Sequence, residues 1–65
     1  MDWSKIMKDL RAKLLLSQTE IADFLDISFA FINRYENGHH EPIIKVKRKI
    51  KCLCEMNGIN IENYE

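Results

Sequence analysis

Apolar side chains recur at three- and four-residue intervals over most of the chain, which places them on one face of an α-helix. This pattern predicts a first helix from Trp3 to Leu16, and either Asp2 or Ser4 can cap its start. The apolar stripe of this helix consists of Trp3, Ile6, Met7, Leu10 and Leu14.

A second, shorter helix is predicted from Gln18 to Leu25. Ser17 and Glu20 have the spacing of a capping box at its start, in which each residue satisfies a backbone N–H of the other. The side chains expected to point inward are Ile21, Ala22 and Leu25. Asp26 and Ile27 are then expected to form a tight turn.

The third predicted helix starts at a Ser28 cap and ends at Gly38, because glycine takes the left-handed conformation of a helix end at the lowest cost. The fourth is predicted to open at Pro42 and to run through Asn57. Its expected core side consists of Ile43, Val46, Ile50, Leu53 and Met56.

Asn60 can cap a final single turn from Ile61 to Tyr64. The pattern therefore predicts one all-α domain, residues 1–65, with five helical segments and no repeat or linker.

The third segment, SFAFINRYENG over residues 28–38, has two chemically different faces when it is wound as a helix. The polar face carries Ala30, Asn33, Arg34 and Asn37. The opposite face carries Phe31, Ile32 and Tyr35, with Phe29 on the border, and we interpret Phe31 as a shoulder of the core. Amides and a guanidinium are suited to hydrogen-bond a flat, polar partner.

Composition narrows the class of protein. A chain of 65 residues makes one small domain, and its two glycines and one proline leave little turn-forming material for a sheet. The formal net charge of zero argues against a general polycation but allows a local basic face. No apolar run is long enough for a membrane span and no signal peptide is visible, so a soluble, cytoplasmic protein is expected.

The two cysteines, Cys52 and Cys54, are interpreted as small buried thiols in a reducing compartment. Two positions apart on a helix, they point away from each other and cannot pair. A zinc site with His39 and His40 is disfavoured, because a C-x-C sequence on a helix lacks the usual spacing of zinc ligands. No metal or other cofactor is expected.

Two short helices about three residues apart, each preceded by a serine cap, form a helix-turn-helix. The stretch LSQTEIADFLDISFAFINRYENGHHEP, residues 16–42, resembles the helix-turn-helix of phage lambda repressor and Cro-type regulators. The shared features are L-S-Q-x-E-I-A, L-x-I-S, I-x-x-Y-E-x-G and the closing proline. The chain departs from the family at Asp26, where glycine is common, and at Phe29, where many relatives carry a polar base-reading residue.

The resemblance implies that the third helix enters the major groove of duplex DNA. It places in base-facing or groove-wall positions Ser28, Phe29, Ala30, Asn33 and Arg34. Arg34 is the strongest candidate for base reading, because a guanidinium can bridge guanine O6 and N7. The candidates for contact with DNA phosphates are Ser17, Gln18, Asn37, His39 and Lys45.

The resemblance also implies a partly buried ion pair between Arg11 of the first helix and Glu36 of the third, which would fix the tilt of the third helix. The alternative is a pair of exposed charges of little energetic value. The fourth helix is crowded with cations, and both a solvated face and a strip that follows the phosphates remain open for Lys45, Lys47, Arg48, Lys49 and Lys51.

These features predict a sequence-specific regulator that binds double-stranded DNA as a homodimeric repressor at a near-palindromic operator. The expected dimer surface lies at the C-terminal end and consists of Met56, Ile59, Ile61 and Tyr64. The alternative is an antirepressor-like or antitoxin-like interaction module with an aromatic patch of Phe24, Phe29 and Phe31. No enzyme is expected, because the chain offers no nucleophile–base pair and no carboxylate pair with a cleft. No small-molecule ligand is expected, because 65 residues leave no room for a separate ligand domain.

Overall fold

The computed structural model describes residues 1–65 and contains four α-helices followed by a short 3₁₀ turn. The elements are α1 (Trp3–Leu14), α2 (Gln18–Leu25), α3 (Phe29–Glu36), α4 (Ile44–Met56) and the 3₁₀ turn Ile61–Tyr64. The all-α prediction is confirmed, whereas the fifth predicted helix is this 3₁₀ turn. None of the helices combines the length and the apolar character needed to cross a membrane.

Helix α1 ends two residues before its predicted end at Leu16. Leu15 adopts a left-handed φ of 58°, and the N–H of Leu16 donates to the carbonyl of Arg11 at 3.0 Å, which closes the helix. At the other end Asp2 is the cap, because its carboxylate accepts from the N–H of Lys5. Ser4, the other candidate, donates its hydroxyl to the backbone carbonyl of Glu36.

The predicted capping box of α2 is confirmed. The N–H of Glu20 donates to the Ser17 hydroxyl at 3.1 Å, and the N–H of Ser17 donates to the Glu20 carboxylate at 3.0 Å. These bonds hold the pKa of Glu20 below its usual value. Asp26 ends α2 with a left-handed φ of 58°, and Ser28 stands at the N-cap of α3 without a side-chain bond to it.

Helix α4 begins two residues after Pro42, with Ile43 at its N-cap. The predicted core stripe is wrong at Ile43 and Met56, which are both exposed. The side chains of α4 that are buried are Val46, Ile50 and Cys54. Burial raises the pKa of the Cys54 thiol to about 11, with a smaller effect from the charge of Glu55.

A single core joins all five elements. Its buried members are Ile6, Met7, Leu10, Ile21, Ala22, Leu25, Ile32, Tyr35, Val46, Ile50, Cys54 and Ile61. The 3₁₀ turn is tied to α1 because the Tyr64 hydroxyl donates to the Asp9 carboxylate at 2.6 Å, and the N–H of Asp2 donates to the carbonyl of Tyr64 at 3.0 Å. This core leaves the outer face of α3 at the surface.

Candidate nucleic-acid interface

Helix α3 turns only a narrow face toward the core, made by Ile32, Tyr35 and Glu36. The five side chains predicted to face bases therefore lie at the surface: Ser28, Phe29, Ala30 and Arg34 are exposed, and Asn33 is half-buried. The structure thus presents one methyl, one aromatic ring, one amide and one guanidinium along a single short helix.

Phe31 also belongs to this surface, so its interpretation as a core shoulder was wrong. Its side chain is 42% exposed, because the inward face of α3 begins one residue later, at Ile32. The ring stacks on Tyr35 with centroids 6.2 Å apart, and the guanidinium carbon of Arg34 lies 5.8 Å from the Phe31 centroid. Successive helix residues are about 100° apart, so the sequence pattern alone does not decide whether an aromatic side chain at such a border is buried.

The Arg34 guanidinium takes part in no hydrogen bond and no ion pair with the rest of the chain. All of its N–H donors therefore remain available for another molecule. Asn33 is engaged on one side only, because its amide oxygen accepts from the Asn37 amide at 2.8 Å.

Behind this face lies a charged network that connects three helices. Arg11 of α1 donates from Nε and Nη2 to the two carboxylate oxygens of Glu36, at 3.0 Å each. Gln18 of α2 donates to the same carboxylate at 3.3 Å. Glu36 is only 4% exposed, so its charge depends on these donors. The structure thus brings Arg11 and Glu36 together, and it adds Gln18, which the sequence had placed only at the phosphates.

The phosphate candidates lie at two ends of the helix pair. Ser17 and Gln18 are at the start of α2, where the helix dipole favours anions and the capping box uses the N–H groups of Ser17 and Glu20 but not that of Gln18. Asn37 and His39 follow α3, and Lys45 lies in the first turn of α4, with all three side chains exposed.

The basic side chains of α4 divide into two groups. Lys47 and Lys49 have structural partners: Lys47 pairs with Glu41 at 3.2 Å and lies 5.4 Å from the Trp3 ring centroid, and Lys49 donates to the carbonyl of Leu25 at 3.1 Å. The cations that remain exposed without an ion pair are Lys45, Arg48 and Lys51. The sequence alone gives no signal that separates these groups.

At the C-terminal end, the predicted dimer residues differ in their accessibility. Met56 is 76% exposed and Ile59 is half-buried, whereas Ile61 is 6% exposed and packs in the core of its own chain. Ile61 therefore cannot serve as a contact for a second copy, and this part of the prediction needs correction. Tyr64 is half-buried, and its hydroxyl is bound to Asp9.

The two cysteines differ in their burial. Cys52 is exposed, so only Cys54 fits the predicted buried thiols. No group of three or more His, Cys, Asp or Glu side chains is arranged to hold a metal ion.

Comparison with known protein families gives one match, to a model described as helix-turn-helix, over residues 7–50. The matched segment covers most of α1, the whole of α2 and α3, and the first half of α4, and it includes Arg11, Gln18, Arg34 and Glu36. Comparisons with curated proteins and with solved structures give no match.

Proposed function

The chain belongs to the helix-turn-helix family of lambda repressor and Cro-type regulators, and we propose that it represses transcription by binding a specific operator in duplex DNA through α3. The observation that carries this proposal is the outer face of α3. There the Arg34 guanidinium makes no hydrogen bond or ion pair within the chain, and only the amide oxygen of the Asn33 side chain is bonded. The inner side of the helix carries Glu36, which binds Arg11 and Gln18.

In this proposal Arg34 reads a guanine and Asn33 an adenine, each with two hydrogen bonds in the major groove. Ala30 and Phe29 supply apolar contacts for a thymine methyl. Phe29 replaces the polar group that is common at this position of the family, so the chain is expected to prefer a thymine where relatives read a hydrogen-bond pattern.

The proposed phosphate contacts surround this face. The start of α2, with Ser17 and Gln18, binds one phosphate, and the exposed Asn37, His39 and Lys45 bind the backbone on the other side. Because Glu36 accepts a hydrogen bond from the Gln18 amide, the network that orients α3 also orients Gln18, one of the side chains proposed to bind a phosphate. Occupancy of such a site excludes polymerase from the same DNA, which is why repression is the proposed outcome.

We further propose that two copies bind together. One recognition helix covers too few base pairs to discriminate against a genome of competing sites, and a two-fold pair doubles the contacts. The half-sites are then expected about 10 base pairs apart, centre to centre. The C-terminal end offers Met56 and Ile59 for the pairing, without Ile61.

The second candidate function is a protein-interaction module, which is favoured by the exposure of Phe24 and Phe29 and by the zero net charge. Large exposed apolar side chains mark interaction surfaces when they are contiguous. Phe24 lines a shallow groove between α2 and α4, together with Leu25, Lys49, Cys52 and Leu53.

A salt titration separates the two candidates. A labelled mixed-sequence duplex, followed by fluorescence anisotropy from low to high salt, is expected to lose affinity with a log–log slope of about −0.9 per phosphate contact. Absence of duplex binding even at low salt, with recovery of a protein ligand that Phe24→Ala abolishes, would favour the interaction module.

A further inference from the structure

Phe31 lies on the surface of α3, between the ring of Tyr35 and the guanidinium of Arg34. Behind it is Tyr35, which is buried in the core, and the two rings stack with their planes 28° apart and their centroids 6.2 Å apart. Because Tyr35 is held by the core, it limits the directions that the Phe31 ring can take. The exposed position of Phe31 is thus a defined one.

The Arg34 guanidinium rests on this ring, and the ring is its one partner within the chain. Its central carbon lies 5.8 Å from the Phe31 centroid, within the range of a cation–π contact. Helical side chains lean toward the N-terminus of their helix, so Arg34 reaches back over the turn that carries Phe31. That N-terminal part is the end of a recognition helix that meets base edges.

We infer that Phe31 is a positioning residue for base recognition: its ring holds the Arg34 guanidinium over the N-terminal turn of α3, in the direction of the base that Arg34 reads. This inference rests on the proposed function. A ring contact uses none of the N–H donors of arginine, so the donors needed for guanine O6 and N7 stay free.

The physical effect of the ring is preorganisation. A free arginine side chain samples many rotamers, and that freedom is lost when it binds a base. The Phe31 ring removes part of that loss before DNA arrives. At an exposed site such a contact corresponds to about a two- to fivefold change in affinity.

The test compares Phe31→Leu with Phe31→Tyr, since leucine keeps an apolar side chain without a ring and tyrosine keeps the ring. The probe is the duplex that the wild-type chain selects from a randomised library, with a mixed-sequence duplex as control. Phe31→Leu is expected to bind the selected duplex about two- to fivefold more weakly and the mixed duplex as wild type does. Phe31→Tyr is expected to restore selective binding.

The same substitutions in an Arg34→Ala background show whether Phe31 acts through Arg34. Phe31→Leu is expected to have no further effect there, and its full effect in that background would overturn the inference. Wild-type affinity of Phe31→Leu for the selected duplex would overturn it as well.

Proton NMR of the chain without DNA tests the contact between Phe31 and Arg34 directly, and it can be measured on the wild-type protein. The ring current of Phe31 is expected to shift the Arg34 side-chain protons upfield in wild type and in Phe31→Tyr. Unshifted protons would overturn the inference while leaving the proposed function standing. A wild-type chain that selects no duplex would instead overturn the proposed function, and the inference with it.

Discussion

At the scale of single residues, the buried Glu36 carboxylate links the two helices of the helix-turn-helix to α1. It is nearly inaccessible to solvent and accepts from Arg11 and Gln18, which lie on two other helices. The family resemblance was enough to pair Arg11 with Glu36. It was not enough to find the Gln18 bond, because a side-chain amide that bridges two helices leaves no periodic signal in the sequence.

This pair is expected to show measurable coupling. In a double-mutant cycle with Arg11→Met and Glu36→Gln, the coupling in the free energy of unfolding should be at least ~0.5 kcal/mol, because the bond is bidentate and the Glu36 side chain is only 5% exposed. Urea denaturation measures the free energy of unfolding of wild type, of each single variant and of the double variant. The Lys47–Glu41 pair, in which Glu41 is exposed, is the control and should couple more weakly. Zero coupling for Arg11 and Glu36 would mean two independent charges.

At the scale of the elements, helix ends were the least predictable feature. Asp26 was singled out because relatives carry glycine there, and its φ of 58° is indeed left-handed. Leu15 has the same φ, yet nothing in its chemistry predicts it, because leucine favours helices. The apolar stripe predicted for α4 is right at Val46 and Ile50 and wrong at its two ends: Ile43 and Met56 lie at the surface, and Cys54 takes the place in the core.

Leu15 offers a direct test of the strain at the end of α1. Leu15→Gly is expected to raise the free energy of unfolding by about 0.5–1 kcal/mol, because glycine takes the left-handed conformation without steric cost. The side chain is 89% exposed, so little apolar burial is lost. Leu15→Ala is the matched control: it removes the same side chain, keeps the strain and should show no gain in urea denaturation. Equal stability of the two variants would contradict the strain argument.

The bond between the 3₁₀ turn and α1 makes a pH-dependent prediction. The hydrogen bond to Asp9 raises the pKa of Tyr64 from 10.0 to about 12, and the same bond lowers the pKa of Asp9. The stability that Tyr64 contributes is therefore complete below pH 10 and is lost as the pH rises toward 12. The stability that Asp9 contributes is present above the usual pKa of 3.8 and is lost as the pH falls below that value.

Tyr64→Phe is accordingly expected to lower the free energy of unfolding by about 1 kcal/mol at neutral pH. The difference from wild type should shrink at pH 12, since only wild type loses the bond there. Urea denaturation at both pH values measures this difference. The two proteins share all other titratable groups, so the effects of those groups cancel when wild type is compared with Tyr64→Phe. A difference that is constant with pH would show that the bond is not formed in solution.

At the scale of the whole molecule, the charges sum to zero, but they are not spread evenly along α4. Lys45 and Arg48 are exposed there without an ion pair, whereas Lys51 lines a cavity together with Glu55, Glu62 and Glu65. The resemblance and the periodicity together predicted the order of the helices and most of the core. They did not predict which cations are used inside the fold or that Phe31 is exposed, because both depend on side-chain contacts between elements.

The proposed dimer is tested by the molar mass of the free protein and of its DNA complex in solution. We expect sedimentation to show a weak dimer, or a monomer, without DNA and two chains on one selected duplex, because a small interface becomes stable only when both copies share the DNA. Met56→Asp should weaken the assembly, while Leu15→Asp, at another highly exposed site directly after α1, should not. A strict one-to-one complex on a non-palindromic duplex would contradict the dimer.

The central claim is that α3 reads a DNA sequence, and Arg34→Ala tests it most directly. Fluorescence anisotropy compares its affinity with that of wild type, both for the duplex selected by wild type and for a mixed-sequence duplex. We expect a loss of roughly 1–3 kcal/mol on the selected duplex and little on the mixed one, since a lost base contact removes discrimination. Arg48→Ala, an exposed cation of α4, is the control and should affect both duplexes alike. Equal losses from Arg34→Ala on the two duplexes, or a wild-type chain that selects no sequence, would contradict the claim.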